Sequence, residues 1–253
     1  MPGGLHRDLT ATGWATPAAV PPLTDEAIHV WRIRDAGSHA PPPALTHCLS
    51  SPECTRGRAF RFAVDANTYH WTRSVLRHLL SNYLQTPPEQ LVFAYGPQGK
   101  PRLVDAEKDL RFNVSHSHGC AILAFGKGSE LGVDVEWEDD GFDPADLVKR
   151  YFTPAESVDI LRGDERAKRQ AFFRAWTRKE AFLKANGGGL SLPLEAFGVT
   201  IRDDQPVRLR NVDRNPAAVS DYRLAGFTCG DRLPGALCWR GNERTLHFYD
   251  YPT

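Results

Sequence analysis

Two long stretches of helical period, one in each half of the 253-residue chain, constrain its fold more than any other feature. Between Asp65 and Gln85 the apolar residues Trp71, Val75, Leu76, Leu79, Leu80, Tyr83 and Leu84 recur at intervals of three and four, which aligns them along one stripe of a helix. Pro87 and Pro88 then forbid continuation, because proline lacks the amide proton and clashes with the preceding turn. From about Ala167 to Ala185 a second stripe collects Phe172, Ala175, Trp176, Phe182 and Leu183, and Gly187-Gly188-Gly189 ends the run. Thr153-Pro154-Ala155-Glu156 signals another helix start: an N-cap threonine, a proline at the first helical position and a glutamate placed to close a capping box. A helix with one apolar stripe must bury it against a second layer.

Short runs bounded by Gly and Pro supply that layer. Ile28-His29-Val30-Trp31-Arg32-Ile33 alternates apolar and polar residues, the pattern of a strand with one buried face. Further strands are expected at Leu91 to Tyr95, Phe112 to Ser115, Cys120 to Phe125, Leu131 to Val135, Val199 to Arg202, Tyr222 to Phe227, Ala236 to Trp239 and Thr245 to Tyr249. The order strand, helix, strands thus occurs twice without a repeat in the sequence itself. An α+β class follows, with one half over residues 28–128 and the other over 129–253. Residues 1–27 open with a Pro-, Ala-, Gly- and Thr-rich stretch without period and read as a mobile N-terminal arm.

Lys plus Arg balance Asp plus Glu at 31 each, which disfavours a protein that coats nucleic acid by bulk charge; any phosphate binding must be local. Five cysteines, Cys48, Cys54, Cys120, Cys229 and Cys238, contain no C-x-x-C pair, so neither a disulfide framework nor a thiolate zinc site is expected, and a reducing cytoplasm fits best. No basic start followed by an apolar run opens the chain, and no stretch approaches the roughly 20 apolar residues of a membrane span.

Gly132-Val133-Asp134-Val135-Glu136 sets two carboxylates at i and i+2 of a strand, hence on one face. Their mutual repulsion is offset most simply by a hard cation with oxygen ligands; the alternative is a solvated acidic edge continued by Glu138, Asp139 and Asp140. On the second long helix, Glu180 and Lys184 stand one turn apart on the flank of the apolar stripe, beside Phe173, where they would line a cleft edge or form an ordinary surface pair. Phe112-Asn113-Val114-Ser115-His116-Ser117-His118-Gly119 gathers hydroxyls and imidazoles at a strand end. Adjacent strand residues face opposite ways, so Ser115 and His116 are badly placed to act as nucleophile and base, and no G-x-S-x-G elbow is present. Such side chains suit phosphate oxygens, or a polar turn. Gly96-Pro97-Gln98-Gly99-Lys100-Pro101 is not a phosphate loop, because no Ser or Thr follows the lysine and Pro101 blocks a helix behind it. Lys100 nonetheless stands at a rigid turn, either clasping a phosphate or solvated. The triple glycine follows a helix, whereas anion loops precede one, so it is assigned no ligand.

Taken together and in this order, Gly99-Lys100-Pro101, Phe112-Asn113-Val114-Ser115-His116-Ser117, Gly132-Val133-Asp134-Val135-Glu136, Trp176-Thr177-Arg178-Lys179-Glu180-Ala181-Phe182-Leu183-Lys184-Ala185 and the trailing Gly189-Leu190-Ser191-Leu192 resemble the 4'-phosphopantetheinyl transferases, most nearly the large surfactin-synthetase-activating type. The resemblance spans residues 28–200. It implies a monomer of two similar, pseudo-twofold-related halves, each a small sheet packed on a long helix, with coenzyme A between them. It implies Mg²⁺ held by Asp134, Glu136 and Glu180 against the diphosphate of coenzyme A, with Lys184 also on the diphosphate. Ser115 and His116 would meet the cofactor's phosphates, Lys100 and Pro101 the 3'-phosphate and adenosine end, and Arg56 the 3'-phosphate, while Cys54 stands where another cation is expected. The implied reaction moves the phosphopantetheine arm onto a serine of an acyl or peptidyl carrier protein, with Glu180 a candidate for the serine proton and Lys184 neutralising the departing charge; neither nucleic acid nor membrane is an expected partner. Two rival readings use the same acidic trio: a Mg²⁺-dependent phosphodiesterase acting on coenzyme A or nucleic acid, and a coenzyme A-binding module without catalysis.

Overall fold

The computed structural model describes residues 13–96, 99–104, 109–187 and 192–253. In chain order it runs β1 (Ala27–Ile33), α1 (Pro43–Thr46), α2 (Ser51–Arg58), α3 (Ala63–Leu84), β2 (Phe93–Tyr95), β3 (Pro101–Leu103), β4 (Leu110–Ser117), β5 (Cys120–Lys127) and β6 (Leu131–Val135). It continues with α4 (Ala145–Tyr151), α5 (Pro154–Ile160), α6 (Glu165–Asn186), β7 (Phe197–Val199), β8 (Leu209–Val212), α7 (Ala218–Asp221), β9 (Tyr222–Thr228), β10 (Pro234–Arg240) and β11 (Thr245–Asp250). The class is α+β. Two compact units emerge, an N-terminal one of Gly13–Gly128 with Arg244–Thr253 and a C-terminal one of Ser129–Glu243.

In the N-terminal unit a sheet of order β11-β1-β5-β4 carries α3, whose Trp71, Val75, Leu76, Leu79 and Leu80 are buried with Trp31, Ile33, Leu123 and Phe125 of the strands. Helix α3 ends where the sequence requires: Gln85 takes a left-handed φ of 52° and the two prolines follow. β1 departs from the one-face expectation, because all seven of its residues are buried. Its polar members are satisfied internally. His29 Nδ1 lies 2.9 Å from the Tyr83 hydroxyl, and Arg32 makes two bonds of 2.7 and 2.9 Å to Asp250 with its guanidinium 4.1 Å above the Trp14 ring. β11 is therefore the parallel partner of β1, in register from Ala27↔Thr245 to Arg32↔Asp250, and belongs to the N-terminal unit although the sequence order groups it with the second half. The expected mobile arm is also held in its described part. Ala15 N donates to Phe248 O and Asp250 N to Ala15 O, Trp14 packs on Phe248, and Leu23 is buried; residues 1–12 lie outside the described residues.

In the C-terminal unit α6 lies on a sheet of order β6-β10-β9, with Phe172, Ala175, Phe182 and Leu183 in the core and Trp176 half-buried against it. Asp164 caps α6 by accepting from Ala167 N, and Gly187 ends it at φ 69°. The capping box at Thr153 and Glu156 is formed at the start of α5. The strand expected at 199–202 lies earlier, at Phe197–Val199, paired with β8 across a register shift. All five cysteines are free. Among the described residues no helix is long and apolar enough to cross a membrane.

Candidate active site

The contact between β6 and α6 brings together acidic and basic residues of the predicted site, and Gly132 makes that contact possible. A Cβ there would run into Ala181 O and Ala185 N, backbone atoms of α6 that no side-chain rotation can move aside. With no Cβ, strand and helix meet at backbone distance. Two residues on, Asp134 points into the seam and is 3% exposed. Lys184, one turn beyond Ala181, donates to Asp134 Oδ1 at 2.7 Å and to Val133 O at 3.1 Å. Glu180, one turn before Lys184, is half-buried in the same place. Burial, and after it the negative charge of Asp134, holds the Glu180 carboxyl above its ordinary range, with Lys184 opposing. Among the described residues nothing donates a hydrogen bond to the Glu180 carboxylate.

Asp134, Glu180 and Lys184 are thus brought together from two elements. Glu136 lies half-buried just past β6, where its amide extends the ladder to Pro234 O at 3.1 Å, and period two sets it on the Asp134 face. Among the described residues no three His, Cys, Asp or Glu side chains are gathered as a metal cluster, and an ammonium, that of Lys184, lies against Asp134. The donor set still fits a hard cation. Asp134, Glu136 and Glu180 offer carboxylate oxygens alone, and the Glu180 carboxyl is raised by burial first and by the neighbouring charge of Asp134 second.

The orientation of α6 is set from its other side by a buried pair that sequence reasoning did not single out. Lys179 and Glu156 are fully buried and 2.9 Å apart. The lysine also donates to Leu194 O at 2.8 Å and Phe197 O at 2.5 Å. Glu156 accepts from Val199 N at 2.8 Å, Thr153 N at 2.9 Å and Thr153 Oγ1 at 3.0 Å. One knot therefore ties the start of α5, the middle of α6 and β7 at the residue next to Glu180. The capping-box motif was the only sequence trace of it; nothing in spacing shows that the same carboxylate also meets a lysine.

In the N-terminal unit, Ser115 is buried and His116 exposed on β4, opposite faces as strand geometry requires. Lys100 accepts through its carbonyl from Gly96 N at 2.9 Å, Gly99 before it has φ 76°, and Pro101 opens β3. Arg56 is exposed on α2 with its guanidinium 5.7 Å from the Tyr69 ring. Cys54 is half-buried, its thiol directed to Leu49 O. Gly189, Leu190 and Ser191 of the trailing motif lie outside the described residues. α2 is anchored by Glu53, whose carboxylate is shared between the buried Arg73 at 2.5 Å and Arg77 at 2.8 Å.

Residues 130–238 match the model of the 4'-phosphopantetheinyl transferase superfamily, and residues 41–127 match that of the 4'-phosphopantetheinyl transferase N-terminal region. The chain is 37% identical to the 4'-phosphopantetheinyl transferase HetI of Nostoc sp. over 191 residues, which cover 74% of this chain and 79% of that protein. It is 30% identical to the 4'-phosphopantetheinyl transferase Sfp of Bacillus subtilis over 177 residues, covering 70% and 77% of the two chains. A third relative, psf-1 of Bacillus pumilus, is 29% identical over 201 residues, with 78% and 84% covered. The seam that carries Asp134, Glu180 and Lys184 falls inside the matched superfamily region, and the chain belongs to the 4'-phosphopantetheinyl transferases of the surfactin-synthetase-activating type.

Proposed function

We propose that this enzyme transfers the 4'-phosphopantetheine arm of coenzyme A to a serine of a carrier protein, releasing 3',5'-ADP, with Mg²⁺ at the β6–α6 seam. The observation that carries the reading is the pairing of Lys184 with buried Asp134 beside a Glu180 whose carboxyl is raised by burial and by Asp134. Asp134, Glu136 and Glu180 are the oxygen donors for the cation. When bound, Mg²⁺ supplies charge neutralisation on the diphosphate.

The chain's own groups do the rest. Lys184, with its side chain about a quarter exposed, is assigned to a diphosphate oxygen, where its ammonium stabilises charge on the leaving 3',5'-ADP. Glu180 takes the proton from the serine hydroxyl, directly or through a water, as the new phosphorus–oxygen bond forms and the bond to 3',5'-ADP breaks. In the N-terminal unit, Ser115 and His116 are assigned to the phosphates of coenzyme A, and Arg56, Lys100 and Pro101 to its 3'-phosphate and adenosine end. The cytoplasm, where coenzyme A and unmodified carriers are made, is the assigned compartment, and the monomer is the assigned working form.

The deciding experiment incubates the protein with coenzyme A, Mg²⁺ and a panel of unmodified carrier proteins and weighs each carrier. A mass gain of one phosphopantetheine on a serine is expected, with no coenzyme A consumed when the carrier is omitted. Asp134→Ala and Glu180→Gln should keep the unfolding midpoint within a few degrees and lose at least about a hundredfold in kcat. Normal turnover in either variant would remove the metal assignment.

A further inference from the structure

Eight large apolar side chains stand at the surface among the described residues, and three of them, Phe60, Phe62 and Val64, crowd the junction of α2 and α3 at 38%, 57% and 51% exposure. Two arginines stand among them. Arg58 and Arg61 are exposed, Arg61 lies 5.2 Å over the Phe62 ring, and among the described residues neither guanidinium pairs with a carboxylate. Arg34, Arg210 and Arg240, which are exposed as well, do pair, with Asp250, Asp159 and Asp221. From Gly57 to Asp65 two arginines face one aspartate, an excess of one positive charge in a chain whose total is zero.

Exposed aromatics beside unpaired arginines are the composition of an interface centre, because both gain most when a partner removes water from them. The charge sets the partner's character. Guanidiniums without carboxylates favour a surface that brings its own, and the phenylalanines favour an apolar ridge between them. We propose that the strip Arg58–Phe60–Arg61–Phe62–Val64 docks the acceptor carrier protein, through a face of that carrier bearing carboxylates around an apolar ridge. The inference rests on the transferase reading above and adds where the macromolecular substrate is gripped. Arg56, held over Tyr69, is not part of it.

The test uses the full chain with Arg61→Glu, Phe62→Ser and the Arg58→Glu/Arg61→Glu pair, all at exposed positions. Steady-state rates are measured on an unmodified carrier at saturating coenzyme A and Mg²⁺, then at saturating carrier with varied coenzyme A, beside thermal unfolding of each variant. Docking requires kcat/KM for the carrier to fall about tenfold or more in each variant while KM for coenzyme A and the unfolding midpoint hold. Unchanged carrier kinetics overturn it. So does a raised KM for coenzyme A with carrier kinetics intact, which would give the strip to the nucleotide, or a concentration-dependent dimer of the wild-type protein that the variants abolish, which would give it to a second copy. A wild-type protein that modifies no carrier would instead remove the transferase reading, and the docking inference with it.

Discussion

Gly132 and Lys179 show how single residues hold the β6–α6 seam. A methyl group at 132 meets backbone oxygen and nitrogen of α6, so Gly132→Ala must push the helix off β6 and lengthen the 2.7 Å contact of Lys184 with Asp134. We expect about 1–3 kcal/mol lost in urea unfolding, together with a drop in transfer rate larger than the stability loss explains; wild-type activity would show that the close approach is dispensable. At the opposite side of α6, Lys179→Met leaves Glu156 buried with no cation. Its expected cost is about 3–5 kcal/mol, and the double variant Lys179→Met/Glu156→Gln should recover part of it, because two neutral groups in an apolar site cost less than one orphaned charge. Equal losses in single and double variants would contradict this. The motif residues could be read from order and spacing, but the burial of Lys179 could not: along the sequence it is one more cation on a helix, and only the fold brings Glu156 to it.

The elements themselves were largely legible. Apolar period and terminators located α3 and α6 to within two residues at each end, and short apolar runs bounded by turn residues located β5, β6, β9 and β10. What escaped was short or polar. Helix α2, with sequence SPECTRGR, has no apolar stripe and is fixed by the hold of Glu53 on Arg73 and Arg77. β1 was read as half-exposed because His29 is polar, yet His29 sits on the face toward α3. The Tyr83 hydroxyl accepts from Trp31 Nε1 at 2.8 Å and so spends its own proton on His29 Nδ1, which requires that nitrogen to be unprotonated. Burial first, and the nearby His247 second, pull the His29 imidazole down to about 4. An unfolded histidine takes up its proton near pH 6.5, so between that value and about 4 the unfolded chain binds more protons than the folded one. Stability is complete above the upper value and falls as pH is lowered through the window, by up to about 3 kcal/mol. Denaturation midpoints from pH 7 to 4 should show this slope, and His29→Gln should flatten it; a slope that persists in the variant would place the effect elsewhere.

At the scale of the molecule the chain leaves its N-terminal unit near Gly128, builds the C-terminal unit, and returns at Arg244 to lay β11 beside β1. A protein ending at Glu243 loses that strand and also Asp250, the carboxylate of buried Arg32 and of Arg34. We expect such a truncation to be insoluble or to unfold well below the full chain, and Asp250→Asn to lower the midpoint less but measurably; a truncation as stable as the parent would mean that β11 contributes little. The last strand was visible in its alternation, but its destination was not, since a parallel partner more than 200 residues away leaves no local mark. By itself the sequence determined the elements with strong period, their class, the ordered motifs of the family and the carboxylates and lysine of the seam, because each rests on spacing within a few residues of its neighbours. Only the tertiary structure decided that Lys184 rests on Asp134, that Lys179 is neutralised by Glu156, that His29 faces inward and that the chain's end closes its beginning. Those depend on which distant segments come into contact, and pairing across long loops is settled by burial and charge in three dimensions.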